Sequence, residues 1–233
     1  MSTSIIGSPS RMINPPARSS GWFWMTNFAL GPAMIAHKQL VHMNDAAVTS
    51  ANIVAHPVLF QLGFVGNIVA CAGYLVVIAL WYRLFKPVNS NIALVAAVIG
   101  SAACVILAIG TVFYVTPLTI LTGVAQGAAL LQAQASTLLL IRLYGQCYNT
   151  SLVFFALYGI LTGYLGFRST FIPPLIGIGF MVAGFGWLAF IWPPLVRPLY
   201  PFMMLTAVGE FTFVLWLIIK GVNVDRWREV ASS

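Results

Sequence analysis

The chain has 233 residues, of which 60% are hydrophobic and 6% charged, against about 25% charged residues in soluble domains. A water-soluble surface cannot be assembled from so few charges, and the same composition excludes disorder, a collagen-like repeat and a disulfide scaffold. The net charge of +7 comes from 11 Lys and Arg standing singly or in pairs between apolar runs, not from the clustered basic face that a nucleic-acid binder needs.

The first 20 residues are rich in Ser and Pro, hold Arg11 and Arg18, and lack the apolar core of a signal peptide, so they read as a polar cytoplasmic tail. A first span over 21–36 is short for a bilayer core of about 30 Å, and its Gly31-Pro32 pair predicts a kink or early break. Stronger spans follow over 57–82, 91–115 (stopping before Pro117), 149–167, 171–193 and 201–219, all but the second ending at or near a basic residue. Uninterrupted apolar runs of this length predict helices, which satisfy their own backbone polar groups in lipid. The period-two alternation of a membrane barrel strand is missing.

Residues 118–141 are ambiguous. They are uncharged, and Gln126, Gln132 and Gln134 define no polar face, so they can form a seventh span or an extra interfacial or re-entrant helix. Charge placement separates the two. With six spans and the N-terminus inside, Arg11, Arg18, Arg83, Lys86, Arg168, Lys220, Arg226 and Arg228 are cytoplasmic, and Lys38, Arg142 and Arg197 are outside, a bias of 8 to 3. Seven spans reduce this to 6 to 5. The positive-inside rule therefore favours an all-α bundle of about six spans, with one transmembrane domain over 21–221 and cytoplasmic tails at 1–20 and 222–233.

Small residues mark helix–helix faces in lipid, where close backbone approach drives association. Gly159 and Gly163 form a GxxxG, and the span over 91–115 carries two ridges, Ala93-Ala97-Ser101 and Ala96-Gly100-Cys104-Ala108. These serve either packing within one bundle or dimerisation. Gly177, Gly179, Gly184 and Gly186 fall within a span, where close packing explains them better than a phosphate loop does. Trp22, Trp24, Trp81, Trp192 and Trp227 stand near span ends, as an interfacial aromatic belt would have them. Cys71, Cys104 and Cys147 follow no metal-ligand or CxxC spacing.

Glu210 is the one acid in the middle of a confident span. Such a residue costs roughly +2.5 kcal/mol or more on insertion and is a functional candidate by default. Apolar surroundings favour its neutral form, which can bridge to Asn67, a tyrosine or a carbonyl of a neighbouring helix. It serves either a proton-coupling or polar-ligand site, or a structural hydrogen bond. His37, His42 and His56 surround Asp45, a zinc set in number and type but not in spacing. Ordinary loop roles are the simpler reading, so no metal site is assigned. No GxSxG elbow occurs, so no catalytic residue is assigned.

A set of short stretches, in order, resembles the bacterial membrane family catalogued as domain of unknown function 4386. They are Asn44-Asp45-Ala46-Ala47, Leu59-Phe60-Gln61-Leu62-Gly63-Phe64, Leu84-Phe85-Lys86-Pro87, Tyr144-Gly145, Gly163-Tyr164-Leu165 with Phe167-Arg168-Ser169, and Gly209-Glu210 with Leu215-Trp216-Leu217. The resemblance implies a six-span bundle whose segment before Tyr144 is an extramembrane or interfacial helix. It brings no reaction, cofactor or catalytic residue. Members often carry a basic residue where Gln61 stands, an acid near Asn67, and a His where this chain has Arg142.

These features lead to the expectation of a non-enzymatic protein of the cell inner membrane, surrounded by lipid and acting as an accessory or scaffolding subunit beside other membrane proteins. The alternative is a small transporter or lipophile-binding protein that uses Glu210 and Asn67. A metal-dependent hydrolase at the histidine loop ranks third. The ligand and any cofactor are left open, and nucleic acid is not expected as a partner.

Overall fold

The computed structural model describes residues 15–123 and 127–232. Residues 1–14 with Arg11, residues 124–126 with Gln126, and Ser233 lie outside the described residues. All regular elements among the described residues are helical. Among the described residues, five helices are long and apolar enough to cross a membrane.

The first span is assembled from three pieces: α1 (Ala17–Trp24), a 3-10 turn (Met25–Leu30) and α2 (Gly31–Leu40). The expected break is real, but it falls upstream of the Gly-Pro pair. Pro32 sits in the first turn of α2, where its missing N–H costs nothing. The chain stays in the right-handed helical region at both junctions, so residues 17–40 form one interrupted path. This path begins inside the segment expected to be a polar tail.

The loop after α2 leads to the short apolar helix α3 (Ala46–Ala55). Asp45 caps it, its Oδ1 accepting from Val48 N–H at 2.9 Å. An Asp45→Ala substitution is expected to lower stability by about 1 kcal/mol, the ordinary worth of such a cap, read as a shift in thermal unfolding in detergent.

Helices α4 (Pro57–Phe85) and α5 (Ser90–Thr122) meet at a turn where Asn89 accepts from Ile92 N–H at 2.9 Å. α5 does not stop before Pro117 but runs through it. Prolines are tolerated inside membrane helices; Pro117 frees the Phe113 carbonyl, while the neighbouring Thr116 and Thr122 hydroxyls bond back to the Val112 and Leu118 carbonyls at 2.7 and 2.9 Å.

Helix α6 (Ala128–Arg168) has 41 residues, about 60 Å at 1.5 Å per residue, twice the hydrocarbon core. The described residues of 118–141 are thus no separate element: 118–122 are helical in α5 and 128–141 in α6. They are shared between the end of α5 and the beginning of α6, which pack together as an antiparallel hairpin reaching beyond a bilayer's thickness. α3 packs against this hairpin, and Arg142 Nη2 donates to the Met43 carbonyl at 3.3 Å.

Helix α7 (Pro174–Trp187) continues into a 3-10 turn (Leu188–Ile191) and turns sharply at Trp192 into α8 (Pro193–Ile219). α8 starts earlier than the expected 201, with Pro198 and Pro201 inside it. The C-terminal segment forms α9 (Val224–Ser232), which docks back on the bundle: Trp227 Nε1 donates to the Leu84 carbonyl at 2.9 Å. This bond satisfies one of the orphan carbonyls at the end of α4.

The spans close into a ring. The first span packs on α4, α4 on α5, α5 on α6, α6 on α7, α7 on α8, and α8 on α1. Glycines make the closest of these contacts. α7 presents Gly177 and Gly184 to α6, and Gly179 and Gly186 to α8. Both pairs are spaced by seven residues, two turns of helix, so each glycine pair lies along one face. Gly163 of the GxxxG faces Met181 of α7, while Gly159 faces Gly184 and Phe180. Gly100 lies between Ile78 of α4 and Tyr158 of α6, and Ala97 with half-buried Ser101 lies on the next row of the same helix. Gly63, Gly66 and Gly73 of α4 receive Ala33, Ala29 and Thr26 of the first span.

Three of the five tryptophans expected at interfacial belts are instead core residues. Trp24, Trp81 and Trp227 are buried, while Trp22 and Trp192 are exposed. Trp81 packs among Tyr158, Phe180 and Phe213 at ring distances of 5.3–5.9 Å. Nearness to a span end in sequence does not tell which face of the helix an indole occupies.

Candidate functional site

Inside the ring lies a cavity of 360 Å³ to which all six spans contribute. The first span supplies Trp24, Asn27 and Phe28, α4 Cys71 and Tyr74, α5 Leu107, α6 Tyr148, Ser151 and Phe155, α7 Phe180 and Trp187, and α8 Met204, Ala207, Glu210 and Phe211. Most of these side chains are apolar or aromatic, and several polar ones are satisfied locally. Asn27 Nδ2 donates to the Trp24 carbonyl at 2.8 Å, Ser151 Oγ to the Tyr148 carbonyl at 2.7 Å, and Cys71 Sγ to the Cys104 carbonyl at 3.3 Å.

Glu210 is different. It enters the cavity from α8, and Trp187 Nε1 donates to its Oε2 at 3.1 Å. Beside it stands Trp24, buried with its own Nε1 lacking an acceptor among the described residues. Tyr74 is the next polar neighbour. The carboxyl group therefore sits beside two indoles in a cavity lined with aromatic rings, and no Lys, Arg or His among the described residues lines it.

The interrupted first span shapes the opening. α1 packs against α8, with Gly21 on Ile218, but the 3-10 turn and α2 diverge from α8. Along this divergence Phe28, Met34, Met204 and Phe211 line the cavity while remaining exposed. The mouth thus faces sideways, towards lipid. A 3-10 stretch within a helix often marks a hinge, and here it forms one lip of the opening.

The other sequence candidates fall elsewhere. Asn67 does not meet Glu210. It is fully buried in a second polar cluster, accepting from Tyr144 O–H at 3.1 Å and donating to the Gly63 carbonyl at 2.9 Å. Tyr114 completes this cluster, with its ring 5.0 Å from Tyr144 and stacked on Phe60 at 4.5 Å. The histidine loop is spread out. Asp45 is occupied as the α3 cap, the His42 backbone pairs twice with Thr49 Oγ1 at 2.9 Å, and exposed His56 joins α3 to α4. No group of three His, Cys, Asp or Glu side chains gathers among the described residues. Sequence reasoning missed Trp187, Tyr74 and Phe211 as companions of Glu210. The only signal was an excess of aromatics in mid-span, and it does not say which of them converge.

The bundle defines a multi-pass helical membrane protein of about six spans with an intramembrane cavity. The family described as Domain of unknown function (DUF4386) matches residues 22–221, and the chain belongs to it. No curated protein and no solved structure matches the chain.

Proposed function

We propose that this protein binds a small lipophilic molecule within the membrane, in the cavity around Glu210, without carrying out a reaction. The observation that carries this reading is the cavity itself: 360 Å³, within the size range of ligand pockets, mostly apolar with a few placed polar groups. The small-residue contacts that suggested a scaffold are used within the bundle, which leaves the lipophile-binding reading better supported than the accessory-subunit one. Glu210 serves as the polar end of the site and Trp187 positions it. Asn67, buried in its own cluster, serves as a structural residue.

We place the protein in the cytoplasmic membrane with both termini inside. Supporting this, Arg18, Arg83, Lys86, Arg168, Lys220, Arg226 and Arg228 all lie at or beyond the span ends that α9 caps, while Lys38, Arg142 and Arg197 lie towards the other end. This is the asymmetry of the positive-inside rule.

Native mass spectrometry of the purified protein in mild detergent tests the function. The expected species is a chain carrying one small lipophile that survives gentle activation. A chain with no bound small molecule, recovered instead with a stoichiometric membrane-protein partner, would return the accessory-subunit reading to first place.

A further inference from the structure

The donors around Glu210 say more about the ligand. A neutral carboxylic acid both donates and accepts, whereas a carboxylate only accepts. Indole N–H groups only donate. Trp187 Nε1 already bonds the carboxyl group at 3.1 Å, and Trp24 Nε1, buried without an acceptor, lies beside it. The surroundings therefore match the charged form. A carboxylate in apolar surroundings is costly unless a cation compensates it, and among the described residues no Lys, Arg or His lines the cavity. The titratable neighbours are Cys71 and Tyr74 from α4 and Tyr148 from α6. The first span, α5 and α7 contribute none, and no other acid or base lies on the α8 wall. The rings of Trp24, Tyr74, Trp187 and Phe211 line the same cavity as the carboxyl group, with Trp24 and Phe211 5.5 Å apart edge to face. A cavity that combines aromatic rings with an anion is the chemistry that holds organic cations.

We propose that the cavity takes a lipophilic organic cation from the lipid through the opening beside the 3-10 turn, with the Glu210 carboxylate as its counter-ion. This rests on the lipophile-binding reading above and names its ligand class. Without a cation beside it the charge is too costly in apolar surroundings, and the carboxyl group keeps its proton. Entry of the cation releases that proton to solvent, so one positive charge replaces another and the interior stays neutral throughout.

The test uses the full chain in lipid nanodiscs with two probes of similar shape, cationic tetraphenylphosphonium and neutral triphenylphosphine oxide. Saturable binding of the cation is expected at pH 8.5, at least tenfold weaker at pH 5.5, with one proton released per cation bound as read by calorimetry in buffers of different ionisation heat. The neutral probe should bind more weakly than the cation at pH 8.5 and show no dependence on pH. Glu210→Gln should lose at least tenfold in cation affinity together with the pH dependence, and Glu210→Asp should keep proton release at reduced affinity. Equal binding of both probes without pH dependence, or cation binding unchanged in Glu210→Gln, overturns the cation assignment while leaving lipophile binding standing. If neither probe binds and the purified chain carries no lipophile, the reading of the cavity falls as well.

Discussion

Leucine in place of Gly163 is expected to prevent the bundle from assembling. A side chain at this position would collide with Met181 backbone on α7, where even a Cβ comes within 2.7 Å of Met181 Cα. The obstacle is backbone, so no rotamer change relieves it, and α7 would have to move away from α6. That movement is costly because α7 is held on both sides. Gly177 lies on the Gly166–Phe167 backbone of α6, and Gly209 of α8 lies against Gly179 of α7. In lipid, no hydrophobic effect drives helices together, so lost packing is not replaced by another driving force. Overpacking typically costs 1–3 kcal/mol, and a clash against backbone should reach about 3 kcal/mol or more. Size-exclusion chromatography in detergent should show aggregation or a large loss of the monodisperse peak. Gly145→Ala is the matching control on the same helix. Nothing stands within 4 Å of a Cβ there, and alanine is favoured over glycine in a helix interior by up to about 1 kcal/mol. A well-behaved Gly163→Leu protein with unchanged thermal stability would show that the α6–α7 seam does not hold the bundle together.

The same seam shows what could be read from the residues and what could not. A bundle of about six spans follows from a handful of charges, because each charge is expensive anywhere except a helix end. Glu210 stood out for the same reason. Its partner did not: Asn67 was the nearest polar candidate by type, yet it pairs with Tyr144, and an indole from α7 reaches the carboxyl group instead. Partnership depends on which helix faces which, and hydrophobic periodicity is nearly silent when lipid and protein interior are equally apolar. For this reason Trp24 and Trp81 resembled belt residues. The extension of α5 through Pro117 was illegible for a related cause, since the residue that breaks helices in water is tolerated inside membrane helices. The glycines of α7 were legible as packing residues, but not as two separate seams, until α6 and α8 were placed on either side.

Filling the cavity without disturbing the seams should separate ligand binding from folding. Ala207 of α8 lines the cavity and is almost fully buried. Ala207→Leu directs new apolar volume into the empty space, and Ala183→Leu does the same from α7. Because the space is present in the native fold, the larger side chain can gain contacts there, as cavity-filling substitutions commonly do, by about 0.5–2 kcal/mol. Thermal stability is therefore expected to hold or rise, while affinity for a lipophile in the cavity falls at least tenfold, about 1.4 kcal/mol. Leu205→Phe is the control, a change of similar size on the same helix at a position 70% exposed towards the lipid side, and it should leave affinity unchanged. The pattern distinguishes a site inside the ring from adsorption on the lipid-facing surface. Surface adsorption would respond to Leu205→Phe and ignore Ala207→Leu. Unchanged binding in both cavity-filled proteins, each folded and stable, would move the ligand out of the ring and leave Glu210 with a purely structural hydrogen bond to Trp187.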